Sequence, residues 1–333
     1  MKAKQMIGII VTGLVIISVG VTGVLGNVIN KKLTESESGT GFWEMLMNTS
    51  FTLPTEDFVG VINVVGEIGP SSDDIWSYAD GTYDHDLYMD YIDQMMQADN
   101  NKGIILYIDT PGGTVYESDE LYLKLMEYKK ETGRPIWAYF ASQACSGGYY
   151  IAMAADYIYA NRNCWTGSIG VVISMVNCEG LYEKLGIEEI NIVSGPNKAM
   201  GAAGTEMTQE QYDIMQSLVD EAYDQFVGIV SKGRAMSEER TRELADGRIY
   251  SAQQAKEADL IDVIGSFEEE QKAFIEKEGL SEFVFFHEPS SMSMTIVAKA
   301  YNAIANLKEK TDSQIATEIV ESNRNGVLMY YAE

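Results

Sequence analysis

Apolar and polar positions along this chain fall into blocks that read alternately as strand and helix. Residues 59–65, Val-Gly-Val-Ile-Asn-Val-Val, form a nearly continuous apolar run of strand length, the pattern of a strand buried on both faces. Leu87, Met89, Tyr91, Ile92, Met95 and Met96 then recur at a spacing that predicts a helix over 87–97. A second apolar run at 103–109 closes on Thr110-Pro111-Gly112-Gly113 and leads into an amphipathic helix over 116–130. The run at 136–141 is followed by Tyr149-Tyr150-Ile151-Ala152-Met153-Ala154-Ala155, long and apolar enough for a buried helix. Strands are also predicted at 171–175, 189–193 and 283–286. Helices are predicted at 208–233, with Thr208 as its cap, at 237–246 and at 294–307. Strands alternating with helices define an α/β class with a largely parallel sheet.

The first residues follow a different rule. After Lys2 and Lys4 the chain runs from Met6 to Leu25 without a charge, and about 20 apolar residues cross a hydrocarbon layer of about 30 Å. Gly23-Val24-Leu25-Gly26-Asn27 is a poor match to the small-residue cleavage site of a secretory signal, so an uncleaved signal anchor is predicted. Lys31 and Lys32 partly balance the charges before the span. Leu33 to Gly41 is a polar linker, and Phe42 to Met47 a short amphipathic piece suited to a membrane interface or to packing.

Composition narrows the partners. Over 333 residues, 50 acidic side chains stand against 24 basic ones for a net charge of −26, which excludes a phosphate-binding surface of the kind nucleic acid requires. Cys145, Cys164 and Cys178 are too few for a disulfide framework, although a Cys164–Cys178 bridge stays open. No Cys-x-x-Cys or His-rich cluster suggests a metal, and no cofactor is called for.

The chemistry concentrates in Ala144-Cys145-Ser146-Gly147-Gly148-Tyr149-Tyr150 and in Lys198 of Ser194-Gly195-Pro196-Asn197-Lys198. Small residues around Ser146 permit a sharp strand-to-helix turn that exposes the hydroxyl. A serine needs a base to take its proton, and a lysine serves only where desolvation leaves its amine uncharged. Lys198 is therefore expected in a dry pocket. Neither histidine fits as the base: His85 precedes the serine by a wide margin, His287 lies beyond the expected core, and both read as surface or structural residues. Gly113 and Gly147 are the candidate amide donors to an oxyanion, the alternative for Pro111-Gly112-Gly113 being a plain turn.

Asp109-Thr110-Pro111-Gly112-Gly113, Ala144 to Tyr150, Thr166-Gly167-Ser168-Ile169-Gly170, and Lys198 followed by Glu206-Met207-Thr208 stand in the order found in the signal peptide peptidase A family. The resemblance runs from about Val59 to Phe267. It implies a ClpP/crotonase-type fold, Ser146 as nucleophile, Lys198 as general base and Ser168 as the hydroxyl that orients the lysine. It also implies a homo-oligomeric ring in which the lysine reaches the serine of a neighbouring subunit. The expected substrates are remnant signal peptides and other unfolded apolar peptides at the extracytoplasmic face of the membrane. The implied organisation is an anchor at 1–27, a linker at 28–57, a peptidase domain at 58–270 and a C-terminal extension at 271–333. Two features extend this expectation: an extended peptide can add beside Thr114-Val115-Tyr116 through main-chain bonds, and the apolar tail Val327 to Glu333 is either a packing tail or a pseudo-substrate. The alternatives are a crotonase-type acyl-CoA enzyme, a non-catalytic membrane scaffold, and a membrane peptidase dedicated to one protein partner.

Overall fold

In the computed structural model, described for residues 53–71, 83–280, 284–287 and 329–331, the predicted apolar runs become the centre of a sheet. β1 (Phe58–Val65), β2 (Asn101–Thr110) and β4 (Ile136–Cys145) lie side by side and parallel. Their residues are apolar on both faces because both faces are covered. The eight-stranded sheet has the order β7-β6-β4-β2-β1-β9, with β5 (Tyr157–Ala160) pairing β4 and β8 (Val263–Ile264). β6 (Trp165–Gly167) lies beside the end of β4, and β7 (Ile249–Ser251) pairs β6 in the sheet's antiparallel step. β9 (Val284–His287) adds to the outer edge of β1.

Helix α1 (His85–Gln97) starts where the Asp84 carboxylate accepts from the Leu87 N–H, and it buries Tyr88, Tyr91, Ile92 and Met95. α2 (Val115–Thr132) follows the short strand β3 (Gly112–Thr114), buries Leu121, Leu125 and Tyr128, and stops at Gly133 in the left-handed conformation. The layer of Val59, Val61, Ile105, Trp137, Tyr139 and Tyr159 is closed by Phe274 of α8 (Phe267–Glu278). Behind the nucleophile segment, α3 (Gly147–Ala152) is wholly buried and meets the second half of α5 (Gln209–Gly233), which opens with the predicted Thr208 cap in a capping box with Gln211. α6 (Glu238–Leu244) and α7 (Ala252–Glu257) complete the helical layer, each capped by a serine, Ser237 and Ser251.

Two predicted strands are corrected. Residues 171–175 and 189–193 run without a ladder, and a short helix, α4 (Glu179–Leu185), lies between them with no buried residue. Their apolar side chains mimic a strand pattern, but 171–175 line a cavity with Met207, Tyr212, Met215 and Val219 beside α5 instead of joining a named strand, and most of 189–193 is exposed. Ile190 is 74% and Ile192 97% exposed. The three cysteines are free thiols, so Cys164 and Cys178 are not bridged. The anchor, most of the linker and the helix predicted at 294–307 lie outside the described residues. Among the described residues no helix is long and apolar enough to cross a membrane.

Candidate active site

Three neighbouring parallel strands, β2, β4 and β6, end at the same side of the sheet, and each hands over to one piece of the candidate site. Loops that follow the carboxyl ends of adjacent parallel strands are where such sheets collect functional groups. β2 leads through Pro111 into β3 with Gly113, β4 ends directly at Ser146, and β6 leads to Ser168.

Ser146 is the hinge between β4 and α3. Its backbone sits at φ 53° and ψ −114°, a conformation that costs a non-glycine residue about 1–3 kcal/mol and persists only where its surroundings impose it. The imposing contacts are the Ser146 N–H donated to Gly167 C=O at 2.8 Å and the Ser146 C=O that accepts from Tyr150 N–H at 2.9 Å. Ser146 is 0% exposed, and its Oγ has no hydrogen-bond partner among the described residues. Burial pushes the adjacent Cys145 thiol up to about 12, which removes it as a competing nucleophile near neutral pH.

The two predicted oxyanion donors come together. A Cβ placed on Gly147 would lie 3.4 Å from the Gly113 nitrogen and 2.4 Å from Ser118 Oγ. A Cβ on Gly113 would sit 1.8 Å from the Ile68 carbonyl oxygen, so only glycine lets the chain pass there. Ile68 N–H donates to Gly112 C=O at 2.8 Å and Ile68 C=O accepts from Thr114 N–H at 2.9 Å. Because successive peptide groups of a strand point to opposite sides, the N–H and C=O of Gly113 itself face the other edge of β3. On that edge lies β10 (Met329–Tyr331), antiparallel, with Tyr330 opposite Gly113 and Met329 opposite Thr114.

Ser168 is 7% exposed with φ 49°, and its N–H donates to Arg248 C=O at 2.8 Å. The register that pairs Cys145 with Gly167 sets Ser168 one residue from the partner of the nucleophile strand. Lys198 is placed differently. It lies in an exposed turn at 195–201, where its N–H donates to Gly195 C=O at 3.1 Å. One chain thus carries Gly113, Ser146, Gly147 and Ser168 on adjoining strand ends, whereas Lys198 is exposed in its own turn. The dry pocket expected around the lysine is not formed within the single chain.

His85 is buried and structural: its ring lies 2.7 Å from Tyr83 Oη and 3.1 Å from Glu120. The side chain of His287 is not described, and its backbone pairs with Val61 at the far edge of the sheet. Sequence reasoning missed Ile68, which walls Gly113, and Thr110, whose hydroxyl gathers the turn before it. The threonine was visible in Asp109-Thr110-Pro111-Gly112-Gly113, but its contacts lie across strands and leave no local signal.

Residues 128–281 match the model of peptidase family S49, and residues 78–177 match that of Clp protease. The chain is 37% identical over 211 residues to the SppA-type protein of Enterococcus faecium, covering 63% of this chain and 60% of the relative. It is 42% identical over 166 residues to the slr0021 protein of Synechocystis, covering 50% of this chain and 59% of the relative. It is also 32% identical over 211 residues to Protease 4 of Haemophilus influenzae, covering 63% of this chain and 33% of the relative. The chain therefore spans about three fifths or less of the length of these curated relatives.

Proposed function

We infer that this chain, a relative of the S49 signal peptide peptidases, is a serine endopeptidase that uses Ser146 as nucleophile and Lys198 as base. The observation that carries the reading is Ser146 itself: a buried hydroxyl without a hydrogen-bond partner among the described residues, on a strained strand-to-helix turn, beside two glycine amides. A neutral Lys198 amine takes the Ser146 proton as Oγ attacks the peptide carbonyl. The Gly113 and Gly147 N–H groups hold the oxyanion. The lysinium then protonates the leaving amine, and water repeats the cycle on the acyl-enzyme. Ser168 orients the lysine.

Because Lys198 is exposed in one chain, the pair is completed between two copies, in a ring. The exposed segment supports this. Leu181, Leu185, Ile187, Ile190 and Ile192 are all more than half exposed, and covering such a side chain fully is worth roughly 1.5–3 kcal/mol. A neighbour seated there also strips water from Lys198, the condition under which an ammonium gives up its proton.

Substrates bind as an added strand on the β3 edge that β10 occupies, taking the place of β10. Only an extended chain can add to an edge by main-chain bonds, so folded proteins are passed over and remnant signal peptides and other unfolded apolar peptides are taken. The segment Met329–Tyr331 on that edge supports the mode and the antiparallel direction. A stable anchor in residues 1–27 holds the enzyme in the membrane with its peptidase domain on the extracytoplasmic face.

The deciding experiment uses Ser146→Ala and Lys198→Ala. Each should lower hydrolysis of a fluorogenic apolar peptide by about 10³-fold or more, with an unchanged thermal unfolding transition. Mixing the two during refolding should restore part of the rate. An active Lys198→Ala enzyme overturns the base, and mixing without recovery overturns the sharing between copies. Removal of Leu328 to Glu333 should lower KM severalfold if the tail competes for the β3 edge, and an unchanged KM excludes that competition.

A further inference from the structure

The donors assigned above are not on the same strand, so something must hold Gly113 of β3 and Gly147 of α3 at one fixed spacing. Ile68 lies against both glycines, and the end of β2 touches the residue beside each of them, Gly112 and Gly148. Thr110, 0% exposed, is its last residue. The Thr110 hydroxyl donates to Gly66 C=O and accepts from Gly112 N–H at 3.0 Å. It thereby ties the chain before Ile68 to the residue before Gly113. Its methyl group faces the other half of the site: a Cβ on Gly148 would lie 2.4 Å from Thr110 Cγ2. One side chain thus bonds the strand that carries one donor and packs on the helix that carries the other.

The same strand end is anchored toward β4. Register between β2 and β4 passes from Ile108 opposite Phe140 to Thr110 opposite Ala144, so β4 bulges just before the nucleophile. Asp109 fills the bulge, accepting from Ser142 Oγ and from Gln143 N–H at 3.3 Å. Thr110 therefore cannot shift along the sheet without disturbing contacts on both sides.

We propose that Thr110 is a positioning residue for the oxyanion hole, its hydroxyl setting the aim of the Gly113 amide toward a carbonyl held at Ser146. The inference rests on the reading of Gly113 and Gly147 as oxyanion donors. A donor moved by a fraction of an ångström loses transition-state stabilisation while leaving the strand edge that binds substrate intact.

The test isolates the hydroxyl twice. Thr110 against Thr110→Val keeps the shape and removes the hydroxyl, and Thr110→Ser against Thr110→Ala does the same in a smaller side chain. The full-length protein is assayed on a fluorogenic apolar peptide and with a peptide aldehyde, whose adduct with Ser146 puts an oxygen in the hole. Within each pair, kcat should fall by about 10- to 100-fold with KM changed less than threefold, and aldehyde inhibition should weaken in the same proportion as kcat/KM. A difference in kcat below threefold in either folded pair overturns the inference, as does a loss that lies wholly in KM. If Val and Ala variants both lose their cooperative thermal transition while Ser keeps it, Thr110 is a general structural residue and the inference is overturned too. If wild-type protein neither cleaves the peptide nor responds to the aldehyde, the peptidase reading itself falls and takes this one with it.

Discussion

The two halves of the candidate site are built in opposite ways. Around Ser146, the ends of β2, β4 and β6 are laced by main-chain bonds, every residue of α3 is buried, and a Cβ added at Gly113 or Gly147 meets another atom within 2.4 Å or less. Around Lys198, residues 171–207 hold one short helix of which nothing is buried, and apolar side chains such as Ile192 are turned to solvent. The first region is complete in one chain because its partners are its own neighbouring strands. The second is apolar in places but has no fully buried residue among the described ones. A catalytic pair divided between two such regions would be silent in a lone chain and assembled only with a neighbour, which links activity to oligomeric state.

Breaking each region separately sharpens the contrast. Gly113→Ala strikes the complete half, where the new methyl would overlap the Ile68 carbonyl. The rate should fall by about 10²–10³-fold in protein that still assembles, as read by steady-state kinetics and sedimentation. Ile192→Asp strikes the incomplete half, leaving thermal stability of the single chain within about 0.5 kcal/mol. Its rate should nevertheless fall more than about tenfold with a shift to smaller species, since a charge is then set into a buried contact. An Ile192→Asp protein that dissociates and keeps full activity would refute the dependence on a neighbour.

The smallest effect expected concerns stability and lies away from both halves. Glu270 of α8 is 0% exposed, its carboxyl oxygens have no hydrogen-bond partner among the described residues, and burial holds its pKa well above the ordinary carboxylate value. A raised acid binds its proton more tightly in the folded state. The stability it allows is fully present below the unfolded value of about 4.3 and declines as pH rises above it. The urea midpoint of wild-type protein should therefore fall between pH 5 and pH 8. Glu270→Gln, uncharged throughout, should fall less. Parallel pH profiles of the two proteins would exclude Glu270 as the group responsible.

Local pattern carried much of the architecture. The apolar runs at 59–65, 103–109 and 136–141 became adjacent central strands, and Thr208 became the cap of α5. Strands β6, β7 and β8 were not legible, being two or three residues long and defined only by the strands they pair with. Residues 171–175 and 189–193 were legible as apolar but not as what they are, because hydrophobicity alone does not say whether a run joins a ladder. In the site, Ser146, Gly147 and Gly113 were marked by small residues around a hydroxyl, whereas Thr110 and Ile68 were unmarked.

Sequence by itself determined the α/β order, the acidic charge, the turn chemistry that sets a serine at a sharp strand-to-helix bend, and the small number of histidines. Those follow from residue type and spacing along the chain. Tertiary structure alone decided that Gly113 and Gly147 converge, that Met329–Tyr331 lies on the β3 edge, and that Lys198 stands in the open. Each of these is a distance between residues far apart in the chain, and such distances are set by strand order and by which surfaces find a partner.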